Sequence, residues 1–136
     1  MKKSQISFEY LIIMSFVVLA VTGIIIITYV YSGVVKDRIK MNQLENCANK
    51  IISTAEAVFY KGVPSKATIN CYLPENIAGA EIDENSVIFS VYTHSGEASI
   101  AFPSNVPISG TLKAKQGIRK IEINALKGEA SVTDIT

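Results

Sequence analysis

Lys2-Lys3-Ser4-Gln5-Ile6-Ser7-Phe8-Glu9-Tyr10 opens the chain after Met1, and an uncharged apolar run continues from Tyr10 to Val35. Between Glu9 and Lys36 there is no Asp, Glu, Lys, Arg, His or Pro. At about 1.5 Å per residue, a helix over these 26 residues reaches roughly 39 Å, enough to cross a hydrocarbon core of about 30 Å with some tilt. The run therefore reads as a membrane-spanning helix, with one carboxylate, Glu9, at its threshold.

A secretory signal peptide has a shorter apolar region, about 7–15 residues, ending in a small-residue cleavage site. Ala20-Val21-Thr22-Gly23 imitates such a site only weakly. The distinctive chemistry precedes the run instead: Lys2 and Lys3, the small Ser4, then Gln5, Ser7 and Glu9. That order resembles the class III signal peptides of archaeal type IV pilin-like proteins. The resemblance implies cleavage between Ser4 and Gln5 by a membrane-embedded prepilin peptidase, with the apolar helix retained. It identifies Gln5, Ser7 and Glu9 as the processing and assembly motif, and Lys2 and Lys3 as the charges of a cytoplasmic leader. The family more often has glycine at the position of Ser4; serine is still small.

Glu9 has a physical rationale of its own. Cleavage would leave an α-amino charge on Gln5, and a lone ion in hydrocarbon costs at least a few kcal/mol. Glu9 can offset that charge, in a filament through the amine of the next subunit, which would set axial register. The alternative is an interfacial glutamate of an uncleaved anchor, bonding the first amides of its helix.

Past the span, Val35, Ile39, Leu44, Ala48, Ile51, Ala55 and Val58 recur at mostly helical spacing, and Asn42, Glu45, Asn49, Ser53 and Glu56 occupy another face. This is an amphipathic helix continuing the first, ended by Gly62 and Pro64. Gly23 and Gly33 are weak points within the combined rod from Gln5 to Tyr60, sites of a bend or of close packing. From Pro64 on, the pattern alternates. Ala67, Ile69, Cys71 and Leu73 share one strand face, as do Val87, Phe89 and Val91, with Asp83-Glu84-Asn85 as the turn between. His94-Ser95-Gly96 leads into a strand over 98–102, and Pro103 to Pro107 breaks the sheet. Strands over 111–115 and 118–126 flank Gln116-Gly117, and 129–136 is an edge strand or a polar tail.

The expected fold is α+β, a long N-terminal membrane or filament-core helix packed with a small antiparallel β head. The divisions are a cleaved leader (1–4), an apolar helix (5–35), an amphipathic helix (36–62) and the head (63–136). A head of roughly 75 residues is short of buried surface and benefits from a staple. Cys47 on the helix and Cys71 in the first strand both face the core. In an exported domain they would form a disulfide; otherwise they are two buried thiols acting as small apolar residues.

Composition excludes several classes. Of 136 residues 49% are hydrophobic, and 13 basic against 12 acidic residues leave a formal net charge of +1. Lys36, Arg38, Lys40, Lys113, Lys115, Arg119 and Lys120 are scattered, lack interleaved aromatics and read as solvated charge, so no nucleic acid partner is expected. His94 is the only histidine, in a turn, and with two cysteines it lacks zinc-site spacing. Glu81, Asp83 and Glu84 lack the EF-hand pattern and read as turn chemistry. No phosphate-binding or dinucleotide glycine motif is present. The expectation is a chain with no catalytic site, cofactor or metal.

Lysines on both sides of the run leave its orientation open; the resemblance implies a cytoplasmic leader and an exported remainder. It also implies a structural subunit, major or minor, of a surface filament serving adhesion or attachment. Its partners would be other pilin subunits, the prepilin peptidase, an assembly ATPase and a membrane platform. The competing reading is an unprocessed single-pass anchor carrying an extracellular binding or envelope module. Whatever the head binds, the turns at 76–79 and 104–107 are candidate contact points by position alone.

Overall fold

The computed structural model describes residues 2–83 and 85–136, with side chains from Ser7 onward. Lys2, Lys3, Ser4 and Gln5, the leader and cleavage positions, have their side chains outside the described set, as does all of Glu84. The fold is α+β. Its elements are α1 (Lys2–Lys61), β1 (Lys66–Leu73), β2 (Ile77–Asp83), β3 (Ser86–Thr93), β4 (Gly96–Pro103), β5 (Ile108–Thr111), β6 (Gly117–Leu126) and β7 (Glu129–Asp134). They divide into two units, Met1–Lys36 and Asp37–Thr136.

The first unit is helix alone. Three of its hydroxyls, at Ser15, Thr22 and Thr28, each donate at 2.8 Å to the carbonyl four residues back, Leu11, Val18 and Ile24. In hydrocarbon this matters, because no water is there to satisfy a polar group. Gly23 is helical and a Cβ there would meet nothing.

In the second unit the helix buries Leu44, Cys47, Ala48, Ile51, Ala55 and Val58. These recur at three- and four-residue steps, so one stripe faces the sheets. The expected stripe began earlier, but Ile39 is 51% and Val35 40% exposed, so the core-facing stripe starts only at Met41 and Leu44. Gly62 ends the helix at φ 76°, where glycine carries no Cβ penalty, and its amide reaches the Val58 and Phe59 carbonyls. A cis Val63–Pro64 bond follows.

The expected single antiparallel sheet is two sheets. One has the order β1-β6-β7-β5, antiparallel except for the parallel β5–β7 edge; the other is the antiparallel meander β2-β3-β4. Three differences account for this. β2 was hidden by the turn signals around Asn76 and Gly79; only Asn76 takes a left-handed conformation (φ 61°), and Gly79 sits at a register irregularity in a paired strand. The strand expected at 111–115 instead occupies Ile108–Thr111, directly after Pro107. The C-terminal strand is interior, between β6 and β5. The core then joins the helix stripe to Val87, Phe89 and Val91 of one sheet and Ile108, Ile121, Ile123 and Val132 of the other.

Candidate functional site

Two groups of residues stand out: the apolar helix with Glu9, and the staples that hold the second unit together. The segment beginning at Ser7 is the one helix among the described residues long and apolar enough to cross a membrane, and none of its most apolar window is buried by the rest of the chain. Phe8, Leu11, Phe16, Leu19, Ile24 and Ile27 are all more than 60% exposed. In water this display would aggregate, so these side chains require lipid or other helices. Ser7 and Glu9 are exposed on the same helix. Glu9 is the sole ionisable side chain between Ser7 and Val35 other than Tyr10, Tyr29 and Tyr31. That leaves one carboxylate available for pairing at the helix's start. The Tyr29 and Tyr31 rings lie at its other end, exposed, as interfacial tyrosines are.

Cys47 and Cys71 are joined, with their Cα atoms 5.3 Å apart and a sequence separation of 24. Each sulfur side chain is only 2% exposed, and Gln43, Asn46, Lys50 and Tyr72 line a hollow over them. The bond ties α1 to β1. A closed loop of this length stabilises by about 3 kcal/mol on chain-entropy grounds. Cys47→Ser with Cys71→Ser is therefore expected to lower the unfolding free energy of the second unit by about 3 kcal/mol. Denaturant titration with and without reductant checks this: the reductant should shift the midpoint of the native chain and leave the double variant unmoved.

Arg119 is a correction. Expected as solvated charge, it is 5% exposed, and its Nε and Nη2 donate to Asp134 Oδ2 at 3.0 and 2.7 Å. The signal was in the alternation: Arg119 is in phase with Ile121, Ile123 and Ala125, and Asp134 with Ala130 and Val132, so both point inward. Burial, the largest single influence on the Asp134 carboxyl, pushes its pKa up. The Thr136 amide, the Arg119 guanidinium and the Lys113 amide together outweigh it and hold the carboxyl below the usual 3.8. Lys66 and Glu122 form a second pair at 2.8 Å, on the solvent face. The hydrogen bond from Lys66, with Asn124 assisting, holds the Glu122 carboxyl below its ordinary value, and such an exposed pair adds little stability.

His94 serves through its backbone: its N–H donates to Asp37 Oδ2 at 2.9 Å, fastening the β3–β4 turn to the helix. Among the described residues no group of three His, Cys, Asp or Glu is placed to hold a metal ion. Of the two expected contact turns, 76–79 is mostly strand, and 104–107 buries Val106 to 2% exposure. Glu56 anchors that second turn by accepting from Asn105 Nδ2 at 2.7 Å. The disulfide and the Arg119–Asp134 pair belong to one scaffold, with Cys71 opposite Arg119 in the β1–β6 register.

No family model, no curated protein and no solved structure matches the chain. The architecture, one long apolar N-terminal helix with a small sheet domain, is compatible with a pilin-like fold.

Proposed function

We propose that this protein is a structural subunit of an archaeal type IV pilus-like surface filament. The observation that carries the reading is a helix of exposed apolar side chains, with Ser15, Thr22 and Thr28 each bonded to its own backbone and a single carboxylate at its start. Lipid solvates such a surface before assembly, and neighbouring helices solvate it afterwards, since packing and interhelical polar contacts drive association where no hydrophobic force exists between helix and lipid. The prepilin peptidase cuts between Ser4 and Gln5. The new amine of one subunit meets Glu9 of the next, which offsets two charges that would each be costly alone.

The role is structural rather than catalytic: the subunit requires no cofactor, and an assembly platform and ATPase supply the mechanical work. The sheet domain stands outside the cell, where a disulfide persists, and the filament serves attachment. The Cys47–Cys71 bond supports an exported second unit.

The test is the N-terminal residue, read by mass spectrometry on membrane fractions and on sheared surface material. A chain beginning at Gln5 in the sheared fraction is the expected result. A chain retaining Lys2 and Lys3, confined to membranes, would overturn the proposal and leave an anchored extracellular module. In the same strain, Glu9→Ala is expected to leave the membrane pool intact and reduce sheared filaments at least about tenfold, the loss of one buried charge pairing. Immunoblots of the two fractions measure it.

A further inference from the structure

Strand β4 is an edge of its sheet. Thr93 and Gly96 face each other across the two-residue turn at His94-Ser95, which makes them a hydrogen-bonded pair. Counting along the ladder, Gly96, Ala98, Ile100 and Phe102 bond to β3, and the backbone groups of Glu97, Ser99 and Ala101 point away from it. No hydrogen bond among the described residues engages those three amides. The pairing runs from residue 96 to 103 with no register shift, so no bulge turns the edge aside.

The other sheet edges are managed. β2 lies beside β5. β1 is tied to α1 at Cys71. β4 has no lysine, its one strand neighbour among the described residues is β3, and the side chains on its solvent face are Glu97, Ser99, Ala101 and Pro103. Its inner face is unfinished. Val91, Phe89 and Val87 on β3 are fully buried, and their β4 partners Ala98, Ile100 and Phe102 are only half-buried. One more strand would complete that layer.

We infer that β4 pairs with β4 of a second copy, antiparallel about a two-fold axis at Ser99. In that register Ser99 faces the second copy's Ser99, and Glu97 faces its Ala101, so each open amide finds a carbonyl. Ala98 faces Ile100, a small residue against a large one. The two Glu97 carboxylates stand at opposite ends and do not meet. Shifting by two residues in one direction sets Glu97 against Pro103, which has no N–H to give; in the other it leaves Ala101 unpaired. The contact is isologous and closes at two copies, whereas a filament grows through non-closing contacts. The edge is therefore a lateral coupling between subunits or between filaments, independent of helix-driven stacking.

The test uses the full chain in detergent solution, where processing and filament growth play no part. Ser99→Cys places two thiols across the axis, with Cα atoms about 5.5 Å apart as in a hydrogen-bonded pair, inside the range for a disulfide. Mild oxidation is expected to give a covalent dimer, read on non-reducing gels. In the same background, Ala101→Lys sets an ammonium against the second copy's Glu97 and should raise the dimer yield; Ala101→Glu sets a carboxylate there and should lower it. The two are expected to differ roughly tenfold in dimerisation constant, because each change occurs twice. Thr68→Cys, on the open side of β1, should give no dimer. Equal cross-linking from Thr68→Cys and Ser99→Cys, no dimer from Ser99→Cys in a chain that keeps its native disulfide, or indifference to charge at Ala101 would overturn the inference.

Discussion

Gly110→Ala is expected to destabilise the second unit by about 4 kcal/mol or more, a large share of the stability of a domain this size. Gly110 sits in β5 at φ 138°, opposite Val132 of β7 in the parallel register. A Cβ built there collides with the Val132 carbonyl and crowds the rest of its backbone. Backbone cannot step aside as a flexible side chain can, and Val132 is fully buried in the core between β6 and β5. Two costs combine, a conformation that residues with a Cβ rarely adopt and an overlap that must push two strands apart. Gly128→Ala separates them. Gly128 has φ 92° in the β6–β7 turn, but a Cβ there meets nothing within 4 Å, so only the conformational cost of about 1–2 kcal/mol applies. Thermal or denaturant unfolding of the two variants should show the first failing to give a folded domain under conditions where the second shifts the midpoint modestly.

Asp134→Asn is expected to cost about 3–5 kcal/mol, because it leaves the Arg119 guanidinium buried with no counter-charge. The side chains of the pair are 7% and 3% exposed, so water cannot replace the lost carboxylate. The double replacement Arg119→Met with Asp134→Leu should recover most of that loss, since a buried ion pair is often matched by packed apolar groups. The pair also sets an acid limit. The Asp134 carboxyl titrates below its usual 3.8 in the folded chain, so its stabilising contribution is complete above that value and is lost as pH falls through the lower, folded one. Unfolding free energies measured from pH 6 downward should therefore fall for the native chain below about pH 4. The double variant should lack that part of the slope. An identical slope in both would show that Asp134 has no part in it.

These two sites illustrate how differently the parts of this chain were legible. The apolar helix could be read directly, because a run without charge from Tyr10 to Val35 has few physical uses. The helix stop at Gly62 and the Cys47–Cys71 bond were readable for similar reasons: local backbone preference, and two core-facing thiols in a small domain. Arg119 was misjudged because charge type was weighed above strand phase. Its neighbours Ile121 and Ile123 already placed it on the inner face, but its partner Asp134 lies 15 residues away, and nothing local names that partner.

The split into two sheets was not legible at all. Asn76 and Gly79 are turn formers by propensity, yet β2 forms around them because its backbone pairs with β3 and Ile77 and Ile82 pack against the core. Likewise, β5 begins at Ile108 rather than at Thr111, since its partner β7 can receive it only where Ala130 and Val132 offer an inner face and Gly110 allows close approach. Sequence alone determined the elements whose causes are local: a helix whose surface demands lipid or other helices, its cap, the clearly alternating strands β1, β3 and β6, and the turn at His94-Ser95. Tertiary structure decided which strands pair, which charge is buried and which edge is left open, because those depend on partners far apart in the chain whose backbone groups must all be satisfied together.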